Sequence, residues 1–382
     1  MQRSKPPFRS HAGLLDELNQ LASVREKFTF LHEVLLRQFP PLERIAAAVY
    51  DKASDELKTF MASDLRQVEL RRYSARLADS PSLKEIAESG QPRVVDDIDA
   101  FDPELSEHTR EIVIQGYRSS YTMPMYMDGE FAGLLFFDAT EPGFFVDSVL
   151  GSLDPFGHLI SLTVIRELAL GHTLQGAIRT ARHFAEQRDN DTGAHLDRMS
   201  RYARLIALEV AEEEGLSDEQ IEFIFLFAPL HDIGKIGIPD SVLLKPGRLT
   251  DDEFRTMQRH VDVGCEIVDR MIVDFRLTPS DNIAILRNIV HHHHEAYDGS
   301  GYPSGLAGEA IPIEARIVAA ADIYDALTSR RPYKRAWSHA EAVGIMADMS
   351  GSKLDPRCVR ALAENPEELA AIRRRFAENR YG

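Results

Sequence analysis

The chain has 382 residues, of which 44% are hydrophobic and 27% charged, and its formal net charge is −17. This composition is typical of a globular protein of two or three domains and excludes disordered and fibrous classes. The acidic balance also argues against binding to long nucleic acid. No run approaches the roughly 18 apolar residues of a membrane helix, and no apolar segment follows the N-terminal charges, so we expect neither a membrane span nor a secretion signal. Since Cys265 and Cys358 are the only cysteines, we expect a cytoplasmic protein.

The first 151 residues predict a lead-in followed by an α+β domain. Residues 1–26 are polar with a short amphipathic helix, and residues 27–151 alternate short strands with helices. Strands are expected at 44–50 and 57–61, and Asp128-Gly129 between two apolar runs predicts a β-hairpin. Because the strands and helices do not alternate regularly, the domain is expected to contain an antiparallel sheet.

Residues 152–187 predict a long linker helix. Leu153, Ile160, Val164 and Leu168 recur at intervals of three and four residues, which gives one apolar stripe. Two interpretations remain open at this point. The stripe could pack on its own domain, or it could pair with the same helix of a second copy and form a homodimer.

Residues 188–382 predict an all-α domain. The pairs Ser217 with Gln220 and Thr250 with Glu253 are capping boxes, each of which begins a helix. The second helix is expected to run on through His260 and Val268, with Phe254 on its apolar face.

Histidine is concentrated in the second half of the chain, where seven of the 14 histidines lie between His195 and His294. In the run from 291 to 294, the helical spacing from Ile289 and Val290 places His293 in the middle of the buried face and His294 at its edge. His291 and His292 point away from that face. Two adjacent buried imidazoles favour a metal site over two core histidines.

Two carboxylates strengthen this interpretation. Asp232 and Asp322 each lie in an apolar segment, where a buried charge requires a partner, although backbone donors or an arginine could also satisfy it. Together with His195 and His260 they predict a metal site in a helical bundle. Nitrogen and oxygen ligands without thiolate suit iron or manganese, with zinc a further choice, and Cys265 is assigned to the core. The number of histidines suggests at least two metal ions, an arrangement suited to phosphodiester hydrolysis.

Several motifs in order resemble the HD-GYP domain of bacterial cyclic di-GMP phosphodiesterases. The motifs are His231-Asp232 with Lys235, His293-His294-Glu295, and Asp298 to Pro303, and the likeness extends from residue 188 to residue 356. It implies an HD-type helical bundle with a di- or trinuclear iron site and manganese as the alternative metal. The implied ligands are His195, His231, Asp232, His260, His293, His294 and Asp322, with Asp232 bridging two irons. Asp191 stands where members with a third metal carry Glu, so it either holds a third iron or caps a helix.

The same resemblance implies how the substrate binds. Lys235 would hold a phosphate oxygen beside the metals, and Arg331 and Lys334 would pair with substrate phosphate. Gly301, Tyr302 and Pro303 would line the pocket and also offer a surface for protein partners. A metal-activated hydroxide would hydrolyse cyclic di-GMP to pGpG, with GMP as a further product left open.

The N-terminal domain resembles a GAF sensory module, which implies regulation of the enzyme by a signal that the sequence does not identify. Two other functions stay open for the C-terminal domain. It could hydrolyse another cyclic dinucleotide such as cyclic GMP-AMP, or it could act as a non-catalytic signalling adaptor through the loop around Tyr302.

Overall fold

The computed structural model of the chain describes residues 9–21, 23–64, 74–98, 115–186, 193–274, 281–329 and 336–377. The chain divides into two compact units, Met1–Leu170 and Gly171–Gly382. The boundary between them falls inside one long helix.

The N-terminal unit is built on a six-stranded antiparallel sheet with the strand order β3-β2-β1-β6-β5-β4. Its strands are β1 Leu42–Asp51, β2 Glu56–Asp64, β3 Ser74–Arg76, β4 Arg93–Val95, β5 Ser119–Met127 and β6 Glu130–Ala139. Its helices are α1 Arg9–Gln20, α2 Val24–Gln38, α3 Pro81–Ser89 and the part of α4 Asp147–Glu186 that ends at Leu170. The α+β prediction is therefore confirmed. The hairpin between β5 and β6 turns at Asp128 and Gly129, whose φ angles of 51° and 84° are those that a tight hairpin requires.

Both faces of the sheet are covered, and each strand supplies residues to both, because successive side chains point to opposite faces. On β6, Leu134 and Phe136 pack in one cluster with Ile86 of α3. Phe137 points to the other face, where a Cβ atom on Gly157 of α4 would lie 3.4 Å from its ring. Gly157 thus allows α4 to lie close against the sheet.

The apolar stripe of α4 is buried within the N-terminal unit, since Leu153, Ile160, Val164 and Leu168 are each at most 5% exposed. This favours the first of the two interpretations, packing on its own domain, and leaves the homodimer a prediction. Within the described residues, Asp147–Thr173 is long and apolar enough to cross a membrane, judged by length and composition alone. The expected absence of a membrane span therefore also stays a prediction.

The C-terminal unit consists of helices and short connecting turns, as predicted. Its helices are α5 Gly193–Glu214, α6 Asp218–Phe227, α7 Asp240–Leu243, α8 Asp251–Gln258, α9 His260–Asp274, α10 Asp281–His292, α11 Ile313–Thr328, α12 His339–Met349, α13 Pro356–Glu364 and α14 Pro366–Arg375. Both predicted capping boxes are present, at Ser217 and at Thr250. Pro229 lies in a 3-10 turn, Ala228–Leu230, that follows the end of α6.

The single helix predicted from Thr250 through Val268 is wrong in two respects. It is two helices, because the N–H of Arg259 bonds the carbonyl three residues back, at Thr256, and ends α8. The apolar face expected at Phe254 is also wrong. None of the eight residues of α8, all of them described, is buried, and Phe254 is 48% exposed. The break has a consequence for the site, because it makes His260 the first residue of α9.

Candidate metal centre

Three chain segments converge in the C-terminal unit. His231 and Asp232 follow the 3-10 turn Ala228–Leu230. Helix α9 begins at His260, and α10 ends just before His293 and His294. All of these side chains except His294 are less than 9% exposed, and His294 is partly buried. The predicted placement of His293 inside and His294 at the edge is therefore confirmed. His291 and His292 are partly buried and lie on the side of the helix toward Asp262 and Glu295.

Four of the predicted ligands form one compact group. The ligand atoms of Asp232, His260, His293 and His294 all lie within 4.8 Å of one another. The Nε2 atoms of His260 and His293 are 3.4 Å apart, and Oδ1 of Asp232 lies 3.5 Å from Nε2 of His260. Two ligands at about 2.1 Å from one tetrahedral cation are roughly 3.4 Å apart, so the spacing fits a shared first-row metal ion.

The histidines are oriented for metal binding by their other ring nitrogens. Nδ1 of His231, His260 and His293 lies 2.8–3.0 Å from the carbonyl oxygens of Ala228, Met257 and Ile289, respectively. Only an N–H can bond a carbonyl oxygen, so Nδ1 carries a proton, and in the neutral imidazole Nε2 then keeps its lone pair. This pattern is the usual one for metal-ligating histidine.

Asp232 is placed between two sets of groups. Its Oδ1 faces His260 and His293, whereas its Oδ2 lies 3.1 Å from Nε2 of His231 and 2.7 Å from Nζ of Lys235. The Nε2 atom of His231 is buried, and its contact with Oδ2 of Asp232 does not have hydrogen-bond geometry. A carboxylate with one oxygen toward each of two ligand groups is suited to bridge two metal ions.

The electrostatics of the site supply the protonation states that a metal needs. Burial alone would raise the pKa of the Asp232 carboxyl, but the charge of Lys235 and contacts with His231 hold it well below its usual value. Burial lowers the pKa of His293 well below its usual value and that of His294 to about 3. At neutral pH the group is therefore one carboxylate with neutral imidazoles, which are the forms that bind metal.

The remaining predicted residues are placed as follows. Burial acts to lower the pKa of His231, but Asp232 and, less strongly, the charge of Asp322 raise it above its usual value, so Asp322 lies near this imidazole. His195 is buried, and its Nδ1 contacts Asp325. Neither belongs to the four-residue group described above. Asp191, Arg331 and Lys334 lie outside the described residues.

The loop that contains Gly301, Tyr302 and Pro303 closes over this group. The Tyr302 ring stacks on His294, with the ring centroids 4.8 Å apart, and Phe254 meets the same ring edge-on at 6.4 Å. A Cβ atom on Gly301 would lie 2.1 Å from the backbone nitrogen of Ala296, so only glycine allows this approach.

Glu295 fixes the other end of the loop. Its Oε1 accepts the N–H of Ser304 at 2.8 Å and its Oε2 accepts the N–H of Leu306 at 3.1 Å. The sequence identified Glu295 only as a member of a motif, and this anchoring role was missed. The contact partners lie nine and eleven residues away, beyond a turn whose course sequence periodicity does not predict.

We expect Glu295→Gln to loosen the loop, because the amide NH₂ would face one of two backbone N–H donors. The helical unit should lose about 1–3 kcal/mol of stability, and the KM for substrate should rise more than kcat falls. Trp337 is the only tryptophan of the chain, so urea unfolding followed by its fluorescence reports on this unit. Glu309→Gln, at a 76% exposed side chain in the same segment, should leave both quantities near wild type. Equal unfolding midpoints for the two variants would contradict the anchoring role.

The site lies within a part of the chain that matches known proteins. Residues 189–358 match the family model described as an HD domain, which confirms the predicted HD-type bundle. The chain is 50% identical over 194 residues to the cyclic di-GMP phosphodiesterase response regulator RpfG of Xanthomonas campestris, a match that covers 50% of this chain and 48% of that protein. It is 44% identical over 206 residues to a cyclic di-GMP phosphodiesterase of Vibrio cholerae, covering 53% of this chain and 42% of that protein. A 3'3'-cGAMP-specific phosphodiesterase of Vibrio cholerae is 38% identical over 188 residues, a match that covers 49% of this chain and 34% of that protein.

The chain thus spans less than half the length of these curated relatives. Among solved structures, the GAF domain of an Acinetobacter phosphoenolpyruvate-protein phosphotransferase matches with a TM-score of 0.34 and 11% identity, over 44% of this chain and 99% of that chain. A GAF domain/HD domain protein of Geobacter sulfurreducens matches with a TM-score of 0.33 and 19% identity, over 40% of this chain and 98% of that chain.

Proposed function

Because residues 189–358 form an HD domain, we propose that the chain is a metal-dependent phosphodiesterase that hydrolyses cyclic di-GMP. The observation that carries the proposal is the group of Asp232, His260, His293 and His294, whose ligand atoms lie within 4.8 Å of one another. The names of the relatives support cyclic di-GMP as the substrate.

The donor set fits a pair of metal ions better than a single one. Oδ1 of Asp232 faces His260 and His293, whose group also contains His294, and Oδ2 faces His231. We propose Asp322 as a further ligand on the side of His231, His195 as another ligand, and Asp191 as a ligand if a third iron binds. Iron is the proposed metal and manganese the alternative, since the set contains nitrogen and oxygen donors without thiolate. Bound ions would supply an activated water and neutralise the charge of the phosphate oxygens.

The chain's own residues would hold the phosphodiester in place. Hydrolysis bonds the water oxygen to phosphorus, breaks the P–O3′ bond and delivers a proton to the leaving ribose oxygen, which gives linear pGpG. Lys235 is 27% exposed and lies 2.7 Å from Asp232, so its ammonium can contact a phosphate oxygen beside the ligand group. Arg331 and Lys334 are proposed to pair with the other phosphate, and Gly301, Tyr302 and Pro303 to line the pocket.

Regulation by the N-terminal unit belongs to the same proposal, with an unidentified signal received on the α+β domain. We further propose that the protein acts in the cytoplasm as a homodimer and that its Tyr302 loop also contacts protein partners. The cytoplasmic location is supported by Cys265 and Cys358, which are both buried free thiols.

Hydrolysis of 3'3'-cyclic GMP-AMP is the second candidate, because a relative named for that substrate is 38% identical over 188 residues. Both dinucleotides present the same phosphodiester to the metal group and differ in one base. Side-by-side rates under equal conditions distinguish the two substrates.

The decisive experiment is anaerobic turnover by the full chain loaded with Fe(II) and, separately, with Mn(II). Cyclic di-GMP and 3'3'-cyclic GMP-AMP are supplied in parallel, and the products are separated by chromatography. We expect cyclic di-GMP to be cleaved faster, to pGpG or onward to GMP, and we expect a chelator to stop the reaction. If metal-loaded protein cleaves neither substrate, the proposal is wrong and the adaptor function is favoured.

A further inference from the structure

We propose that Asp325 and Arg198 form a positioning pair that holds His195 in its ligand orientation and thereby sets the metal affinity of the centre. Neither residue was singled out from the sequence, and neither reaches the ligand group itself. The inference rests on the proposed function, because it takes His195 as a metal ligand.

The first contact joins His195 directly to Asp325. Nδ1 of His195 lies 2.6 Å from Oδ2 of Asp325, and the two side chains are 8% and 1% exposed. The carboxylate can only accept a hydrogen bond, so the imidazole donates from Nδ1 and turns its Nε2 lone pair away from Asp325. His195 therefore has the same arrangement as the other three oriented histidines, with its ligand nitrogen free of the orienting bond.

His195 differs from the other three histidines in the charge of its partner. His231, His260 and His293 bond backbone carbonyls, whereas His195 bonds a carboxylate. A carboxylate partner makes the imidazole a stronger donor to a metal than a neutral carbonyl does. Of these four residues, His195 should therefore depend most strongly on its partner.

Arg198 holds the carboxylate in turn. Its Nε donates to Oδ1 of Asp325 at 2.7 Å and its Nη2 donates to Oδ2 at 3.0 Å, which is a two-point contact that prevents rotation of the carboxylate. The Ser329 hydroxyl also donates to Oδ2, at 2.9 Å. Oδ2 thus accepts three hydrogen bonds, from His195, Arg198 and Ser329. We expect the loss of the Arg198 or the Ser329 bond to shift the bond to His195.

The guanidinium is itself fixed from the C-terminal end of the unit. Nη1 of Arg198 lies 3.2 Å from the carbonyl oxygen of Phe376, and the guanidinium of Arg201 stacks 3.9 Å from the centroid of the Phe376 ring. Helix α5, helix α11 and the residue that follows α14 therefore meet at one buried ion pair. The pair supports His195, the one predicted ligand on α5, within the described part of the chain.

The test measures metal binding rather than turnover. Mn(II) is titrated into the metal-free full chain, and the unbound ion is followed by its electron paramagnetic resonance signal. We expect Asp325→Asn to weaken Mn(II) binding at one site by about 10–100-fold. His195→Ala should affect the same site. Arg198→Lys keeps the buried positive charge but loses the two-point contact, so it should give a smaller loss.

The matched control is Asp355→Asn. Asp355 is 2% exposed and is also held by a buried arginine, with Nη1 of Arg316 at 2.6 Å, but among the described residues no histidine bonds it. Its loss should lower the midpoint of Trp337-monitored unfolding as much as Asp325→Asn does, while Mn(II) affinity stays at the wild-type value.

The outcomes separate the inference from the function on which it rests. Wild-type affinity in both folded Asp325→Asn and Arg198→Lys would overturn the positioning role and leave the phosphodiesterase proposal intact. If Asp325→Asn does not fold, the result for Arg198→Lys decides between the two alternatives. Failure of the wild-type chain to bind Mn(II) or Fe(II) at all would overturn both.

Discussion

Replacing Asp232 by Asn should abolish hydrolysis of cyclic di-GMP, with a fall of at least about a thousand-fold, or ~4 kcal/mol of transition-state stabilisation. Asp232 turns its two oxygens toward different groups, His260 and His293 on one side and His231 on the other. An amide has one oxygen and an NH₂ group, so it cannot serve both sides. The same change removes the negative charge of Asp232, whose Oδ2 lies 2.7 Å from the ammonium of Lys235 in the wild-type chain.

The measurement is turnover of the Fe(II)-loaded variant beside wild type, with metal content determined on the same samples. We expect both the activity and the bound metal to fall. Asp252→Asn is the control, because that side chain lies in the same unit and is 89% exposed. An Asp232→Asn variant that keeps a full metal complement and wild-type turnover would show that the carboxylate is not part of the reaction centre.

The local geometry of this site could be predicted from the sequence. The helical spacing from Ile289 and Val290 correctly placed His293 inside and His294 at the edge, because a helix of more than two turns leaves little freedom in side-chain direction. Pro229 weakens the helix before His231, since proline cannot donate the hydrogen bond that would continue it, and it lies in the 3-10 turn that follows the end of α6.

Contacts between distant segments could not be predicted in the same way. Asp325 lies 130 residues from His195, and its partner Arg198 bonds the carbonyl of Phe376, which is 178 residues from Arg198. Asp325 does stand three residues after Asp322 on α11, which places both carboxylates on one side of the helix, and this spacing was the available signal. Which of the two would meet a histidine depends on how α5 crosses α11, and no local pattern contains that information.

The exposed position of Phe254 illustrates a second limit. Its spacing with Met257 gave an apolar face, yet α8 ends at Gln258 and leaves Phe254 at the surface beside Tyr302. Two turns of helix are too short for periodicity to distinguish a core-facing residue from one that faces a neighbouring loop.

Gly234→Ala should disrupt the centre without replacing any predicted ligand. A Cβ atom at this position would lie 1.8 Å from the carbonyl oxygen of His260 and 2.5 Å from the backbone nitrogen of Gly264. Both are backbone atoms of α9, so no side-chain rotation can relieve the overlap. The turn Ile233–Gly237 must then move away from α9, which separates Asp232 from His260. We expect a loss of about 3 kcal/mol in stability together with weaker Mn(II) binding.

Gly344→Ala is the matched control, because a Cβ atom there meets nothing within 4 Å and the residue lies inside helix α12. That change should be neutral or should stabilise the unit by up to about 1 kcal/mol, since alanine favours a helix more than glycine does. Urea unfolding followed through Trp337 and a Mn(II) titration on each variant measure the two effects separately. If Gly234→Ala matches Gly344→Ala in both measurements, the close approach of the turn to α9 does not hold Asp232 and His260 together. A loss of Mn(II) affinity larger than the loss of stability would show that the glycine acts chiefly by fixing the distance between those two ligands.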